Sequence, residues 1–301
     1  MGYDVNTMAR LLPIYLNAVV SIEIETGKNA KHPIATGFLF GKREGNDLQG
    51  TPLYRVFLVT NRHVFQNPST KKYVEKVFLR LNKEGGKETK YYPVDLLDAE
   101  SKPIWIQHDD ERVDIAVLSI NGQMLRDEGV SCFFFTDDEH TFLMRDREAV
   151  GIATGDSLFV LGFPMGIRGE LQNAAIARTG IIARIDDELL KEHYFYVDAS
   201  AYPGNSGGPV IIEAEIMAVG GTKTVNQTRL IGVVSSGVTY RDVAISQQTG
   251  QPRIIFEEQT GLTRVVPVDS VIEAIGSYLE KHTPAPPEKA VEAPKPSTES
   301  V

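Results

Sequence analysis

A serine lies inside a glycine-rich run, Gly204–Pro209, which reads GNSGGP. A hydroxyl is a weak nucleophile at neutral pH unless a nearby base takes its proton. Glycines on both sides of the serine let backbone amides turn towards one point. The run therefore predicts nucleophilic chemistry at Ser206, provided that the chain also supplies a histidine base and a carboxylate to orient it.

Two further segments supply these groups. His63 follows the apolar run 57–59 and a polar turn, which indicates a strand followed by a loop. Asp114 stands at the start of the strand-like segment 115–120, where a buried acid needs a partner such as an imidazole. The three residues occur in the order His, Asp, Ser, and this order differs between unrelated folds that carry such a triad.

Each motif has a simpler interpretation when it is taken alone. A GNSGG stretch is commonly a flexible turn, a single histidine is commonly a surface or core residue, and Asp114 would serve as an ordinary strand-end acid. Their joint occurrence in one consistent order favours a catalytic triad of His63, Asp114 and Ser206.

Several segments together carry a family resemblance. The chain resembles the chymotrypsin-like (trypsin-fold) serine peptidases, and among them the HtrA-type and related bacterial trypsin-like peptidases most. The resemblance covers roughly residues 18 to 280 and implies an all-β fold of two packed six-stranded Greek-key β-barrels with a C-terminal helix. The segments that carry it are 35–40, 59–64, 113–118, 161–164, 179–183, 198–209 and 265–269.

The resemblance also implies roles for residues around the serine. The backbone amides of Gly204 and Ser206 would form the oxyanion hole. Relatives that are activated by cleavage of their N-terminus carry an aspartate where this chain has Asn205. Because asparagine cannot form that ion pair, we expect no zymogen cleavage, and we expect neighbouring loops or a partner to control the order of the oxyanion loop.

The same resemblance assigns a substrate pocket. Its residues would be Ser200, Ala201, Ser235, Ser236 and Gly237. Neither Ser200 nor Ala201 supplies the carboxylate that a preference for Lys or Arg would need. We therefore expect cleavage after small or medium apolar residues. The PDZ domain that usually follows the barrels of HtrA-type enzymes is not expected here.

The net charge and the residue types of the chain limit the classes of partner and cofactor that it is expected to bind. A net charge of −9 and a pI near 5.3 argue against nucleic-acid binding. No cofactor is predicted, and no metal site either, since His108 with Asp109 and Asp110 lacks companion ligands at a recognisable spacing. The expected partners are a polypeptide substrate and a regulatory protein or a second copy of the chain.

The cysteine count and the absence of targeting signals predict a cytoplasmic location. The single cysteine, Cys132, allows no intramolecular disulfide and is expected to be a small buried hydrophobe. No segment reaches the roughly 20 apolar residues of a membrane span, and the N-terminus does not resemble a signal peptide.

The chain is expected to divide into four parts. These are an N-terminal segment and first barrel over 1–120, a connector with an inserted loop over 121–150, a second barrel and C-terminal helix over 151–282, and a disordered Pro-rich tail over 283–301. The helix is predicted near 269–281 from its apolar spacing. The function predicted from these features is a serine endopeptidase, and the alternative is a catalytically silent trypsin-fold module that binds peptides.

Overall fold

The computed structural model describes residues 10–27, 30–86, 88–131, 133–215 and 223–282. Strands dominate it, as the many short Val-, Ile- and Phe-rich runs predict. The prediction of an all-β trypsin-like fold with a C-terminal helix is confirmed. Residues 283–301, for which a disordered tail was predicted, and Cys132 lie outside the described residues.

The first half forms an eight-stranded sheet in the order β5-β4-β1-β2-β3-β7-β6, with β8 pairing beside β2. Its strands are β1 (Val19–Thr26), β2 (Ala30–Asn46), β3 (Pro52–Thr60), β4 (Lys76–Asn82), β5 (Thr89–Asp95), β6 (Ile106–Gln107), β7 (Ala116–Ile120) and β8 (Phe135–Thr136). This sheet differs in detail from the predicted six-stranded barrel. Strands β5 and β6 are its two ends, and the chain between them forms a turn at Asp98.

The second half forms a closed six-stranded barrel in the order β10-β11-β14-β13-β12-β9. Its strands are β9 (Ser157–Gly162), β10 (Ile176–Arg184), β11 (Phe195–Asp198), β12 (Pro209–Ile212), β13 (Arg229–Ile245) and β14 (Pro252–Pro267). The last two strands are 17 and 16 residues long. They are much longer than β11 and β12, so their outer halves extend past the barrel.

The helices are short except for the last one. They are α1 (Arg62–Phe65), α2 (Gly122–Asp127), α3 (Arg147–Val150), α4 (Asp187–Lys191) and α5 (Val268–His282), with 3₁₀ helices at Pro13–Ala18, Met144–Asp146 and Pro164–Gly166. Helix α5 lies within one residue of its predicted bounds. No helix among the described residues has the length and apolar character needed to cross a bilayer.

Three clusters of buried side chains form the core. One fills the first sheet and another fills the closed barrel. The third lies between the two halves and beneath α5, where Phe38 and Val59 meet Leu161, Val233 and Val271. This shared core fixes one half against the other, so residues on both can meet at the junction. The predicted connector, residues 121–150, contributes β8 to the first sheet. The division of the chain into four parts stays a prediction.

Candidate active site

His63 reaches the junction from the end of β3. The last five residues of β3 are fully or nearly fully buried, which the continuous apolar run predicts for a strand covered on both faces. The chain then enters α1 instead of the predicted loop, and the buried Val64 and Phe65 anchor this single turn to the core. His63 stays partly exposed, with 34% of its side chain accessible.

Asp114 stands just before β7, between the buried residues Val113 and Ile115. The side-chain amide of Asn61, at the N-terminus of α1, donates a hydrogen bond of 2.8 Å to the Asp114 carbonyl. Asparagine at this position usually caps its own helix. Here its side chain joins the two segments that carry the histidine and the aspartate.

The carboxylate of Asp114 accepts three hydrogen bonds. His63 Nδ1 lies 2.7 Å from Oδ2, the His63 backbone N–H donates to Oδ1 at 3.1 Å, and the Ser235 hydroxyl donates to Oδ2 at 3.0 Å. Burial raises the pKa of Asp114, but the hydrogen bonds and charge of His63 with the Ser235 bond outweigh it, so the pKa lies below its usual value. The ionised carboxylate keeps the proton on Nδ1, which leaves Nε2 of a neutral imidazole free to accept a proton.

Ser206 lines the same cleft as His63 and Asp114. Its hydroxyl donates a long hydrogen bond of 3.4 Å to the Ser235 carbonyl. Within the described part of the chain, no hydrogen bond joins Ser206 to His63. Nucleophile–base contacts are often long or misaligned before substrate binds, and the hydroxyl must turn from Ser235 towards Nε2 before it can react.

The loop from Tyr202 to Ser206 is held through its carbonyl groups. Each of the five carbonyls accepts one hydrogen bond. Those of Tyr202, Pro203 and Gly204 accept from Asn205 N (2.9 Å), Met165 N (2.6 Å) and Thr36 Oγ1 (2.6 Å), and those of Asn205 and Ser206 accept from Gly208 N and Thr36 N (both 2.9 Å). The backbone amides of Gly204 and Ser206 donate no hydrogen bond to any group among the described residues. Two backbone donors beside the serine hydroxyl therefore remain available.

The Pro203–Gly204 peptide is oriented by its own carbonyl. Because N–H and C=O point in opposite directions across a trans peptide, the bond from Met165 N to Pro203 O directs the Gly204 amide away from Met165. Gly204 has φ +99°, and a Cβ there would lie 2.3 Å from the Phe163 carbonyl. Only glycine fits this conformation and this close approach.

Comparison with known proteins identifies the fold family. Residues 35–220, more than half of the chain, match the trypsin-like peptidase domain. The chain belongs to the trypsin-like peptidase family. A protein named "Serine protease DegP homolog", from Plasmodium falciparum (isolate 3D7), is 23% identical over 168 residues, which are 54% of this chain. The match spans only 16% of the length of that protein.

The region that matches the family, residues 35–220, contains all three predicted triad residues. It also contains most of the cleft, whose volume is about 500 Å³. Of the predicted pocket residues, Ala201, Ser235, Ser236 and Gly237 line this cleft, whereas Ser200 is not among its lining residues. The role of Ser200 stays a prediction. Ser235 has a contact that was not predicted, the hydrogen bond to Asp114.

The charged residues that line the cleft are one acid and two bases. Asp114 is the one acidic residue among the cleft-lining residues that the structure describes, and its carboxylate is already bonded to His63 and Ser235. Arg62 and Lys71 line the cleft as well and add positive charge.

Tertiary structure also brings together His108, His193 and Glu273. His108 Nε2 lies 3.2 Å from Glu273 Oε2, and His108 Nδ1 accepts the Asp110 amide at 3.0 Å. A ligating histidine normally donates from its second nitrogen, so this arrangement favours a proton on Nε2 and a hydrogen bond to Glu273 over metal ligation. The long separation of these residues in the chain gave no sequence signal for the cluster.

Sequence reasoning missed the role of Thr36. Its buried hydroxyl donates to the Gly204 carbonyl at 2.6 Å and accepts the Phe163 amide at 3.0 Å. It thereby joins β2 of the first half to the serine loop of the second. The residue lies in one of the segments that carry the family resemblance, but a threonine in a strand gives no indication of its partners.

Proposed function

We propose that this chain is a serine endopeptidase in which Ser206 is the nucleophile, His63 the general base and Asp114 the residue that orients the base. The observation that carries the proposal is the 2.7 Å contact of His63 Nδ1 with Asp114 on the wall of a cleft that Ser206 also lines. Family membership supports hydrolysis of peptide bonds.

The reaction follows from these positions. Ser206 Oγ attacks the substrate carbonyl while its proton passes to His63 Nε2. The negative charge that develops on the carbonyl oxygen is bound by the amides of Gly204 and Ser206, which have no other acceptor among the described residues. The C–N bond then breaks, His63 gives the proton to the leaving amine, and water hydrolyses the acyl-enzyme by the same route.

We infer that loop contacts, and not a new N-terminus, control the oxyanion hole. Asn205 is 1% exposed, and its side-chain amide has no hydrogen-bond partner among the described residues. An uncharged amide cannot form the ion pair that anchors a cleaved N-terminus. The bond from Met165 to Pro203 provides an alternative means of control, because breaking it frees the Pro203–Gly204 peptide to turn.

For the substrate, we propose small or medium apolar residues before the scissile bond. The buried Ala201 and the lack of a free carboxylate among the described cleft residues support this preference. A reducing, cytoplasmic setting is part of the proposal, since the one cysteine forms no internal disulfide.

A second candidate is a silent module that binds extended peptides in the same cleft. The observation in its favour is the hydrogen bond from the Ser206 hydroxyl to the Ser235 carbonyl, which points the nucleophile away from its base.

Digestion of an unstructured protein such as casein separates the two candidates. We expect wild type to release peptides whose new C-terminal residues are small or medium and apolar, as mass spectrometry would show. Ser206→Ala and His63→Ala should release none. Equal cleavage by wild type and Ser206→Ala would refute the assignment, and product ends dominated by arginine or glutamate would refute the specificity.

A further inference from the structure

A two-stranded ribbon projects from the closed barrel beside the cleft. We call residues 238–260 the arm; it consists of the outer halves of β13 and β14, which pair from Thr239 with Gln259 to Ile245 with Pro252. Every residue in 240–245 and 252–259 is exposed. An isolated two-stranded ribbon is marginally stable in water, so a further strand would stabilise the arm.

The arm exposes large apolar side chains on both faces. Tyr240 and Phe256 share one face, since Phe256 pairs with Asp242, two residues from Tyr240; they are 60% and 52% exposed. Val243 and Ile255 pair directly on the other face and are also exposed. Contiguous exposed apolar groups of this kind mark interaction sites.

One edge of the arm is continuous with the cleft. Strand β13 lies between β12 and β14 up to Val233, and Val234 is still bonded to Gly207 and Gly208. Beyond Val234, no described strand covers the edge of β13 that faces Ser206. The open edge starts at Ser235, whose carbonyl accepts the Ser206 hydroxyl, and runs outwards to Ile245.

We propose that the open edge of the arm, residues 238–245 of β13, binds the upstream part of a polypeptide substrate, beyond the residues that occupy the cleft, as a third strand added to the arm. This inference rests on the proposed function, because it assumes that the cleft holds the scissile bond. Residues 238–245 extend the edge by about 26 Å, room for roughly eight substrate residues. The favoured substrate is an extended, unfolded segment with apolar side chains.

The arrangement favours substrate over a second copy of the chain. The cleft wall itself includes Ser236, Gly237 and Gln259, so the pocket and the arm form one surface. In the free protein the Asp242 carboxylate accepts the Val243 amide at 2.8 Å. A charged side chain on an exposed edge opposes pairing of two identical edges.

The test measures binding to Ser206→Ala in the full chain by fluorescence anisotropy. Two labelled peptides share the same cleavage site but carry three or about ten upstream residues. We expect the longer peptide to bind about tenfold more tightly, from several added cross-strand pairs. Proline at alternate positions of its upstream part should abolish the gain, because proline removes amide donors.

The double variant Tyr240→Ser/Phe256→Ser should bind the longer peptide no better than the shorter one. Leu48→Ser is the matched control, since Leu48 is fully exposed on the opposite half of the chain and should keep the gain. Circular dichroism verifies that each variant is folded.

Equal affinity of the two peptides for the Ser206→Ala protein would overturn the proposal. So would a dimer that dissociates when the arm is changed, detected by sedimentation, without any dependence on peptide length. Failure of the proposed function is seen separately, as absence of casein cleavage by wild type, since the binding measurement requires no turnover.

Discussion

Replacing Gly204 with alanine tests how the oxyanion hole is built. The residue has φ +99°, and its Cβ would lie 2.3 Å from the Phe163 carbonyl and 3.3 Å from the Met165 and Gly166 amides. Relief of this clash requires the Pro203–Gly204 peptide to turn and to lose its bond to Met165. The Gly204 amide would then no longer face the developing oxyanion. Loss of one such donor typically costs about 10²–10³ in kcat.

The assay compares kcat and KM of wild type and Gly204→Ala on one chromogenic peptide. Active-site titration first gives the concentration of active enzyme in each preparation. We expect the loss in kcat with little change in KM, because the interaction forms mainly in the transition state. Gly276→Ala is the matched control, because nothing lies within 4 Å of a Cβ at this position in α5. It should leave kcat unchanged and raise the free energy of unfolding by about 0.5–1 kcal/mol. An unchanged kcat in Gly204→Ala would refute this account of the loop.

Three further predictions concern Asp114, Thr36 and His140. Asp114→Asn should lower kcat by up to about 10⁴, measured on the same peptide, because Nδ1 of the histidine would lose its charged acceptor. Thr36→Val should lower the unfolding free energy in urea by about 1–3 kcal/mol, since it leaves the Gly204 carbonyl and a second buried backbone group without partners; an unchanged midpoint would contradict this. Burial lowers the pKa of His140, so the folded state holds fewer protons than the unfolded chain. The free energy of unfolding should be highest above about pH 6.5, where His140 is neutral in both states. It should fall as the pH drops below that value, because the unfolded chain then binds the proton more readily. His140→Gln should flatten that dependence, as urea titrations at pH 7.5 and 5.5 would show; an equally steep dependence in this variant would contradict the prediction.

The family resemblance predicted the all-β fold. The apolar runs before His63 and after Asp114 predicted two of its strands, and the apolar spacing near 269–281 predicted the C-terminal helix. The sequence also placed His63 and Asp114 beside the ends of buried strands, where the structure has them. The single turn α1 was predicted as a loop, since four residues are too few to show helical spacing. The turn at Asp98, between the two end strands of the first sheet, has no distinctive periodicity in the sequence.

Other features depend on contacts between distant parts of the chain. Thr36 and Gly204 lie 168 residues apart, and nothing local to either one specifies their hydrogen bond. The same holds for Ser235, predicted only as a pocket residue, whose hydroxyl reaches Asp114. The direction of the Ser206 hydroxyl is a side-chain rotation, and the residue type alone does not determine it.

Covalent labelling with a fluorophosphonate tests the central claim most directly, because the probe reacts with a serine only when base and oxyanion donors are assembled around it. Intact-mass and peptide mass spectrometry should find one adduct on wild type, located on Ser206. Ser206→Ala should carry none, and His63→Ala should label far more slowly. No adduct on folded wild type, or an adduct on another residue, would contradict the assignment of Ser206 as a nucleophile activated by His63 and Asp114.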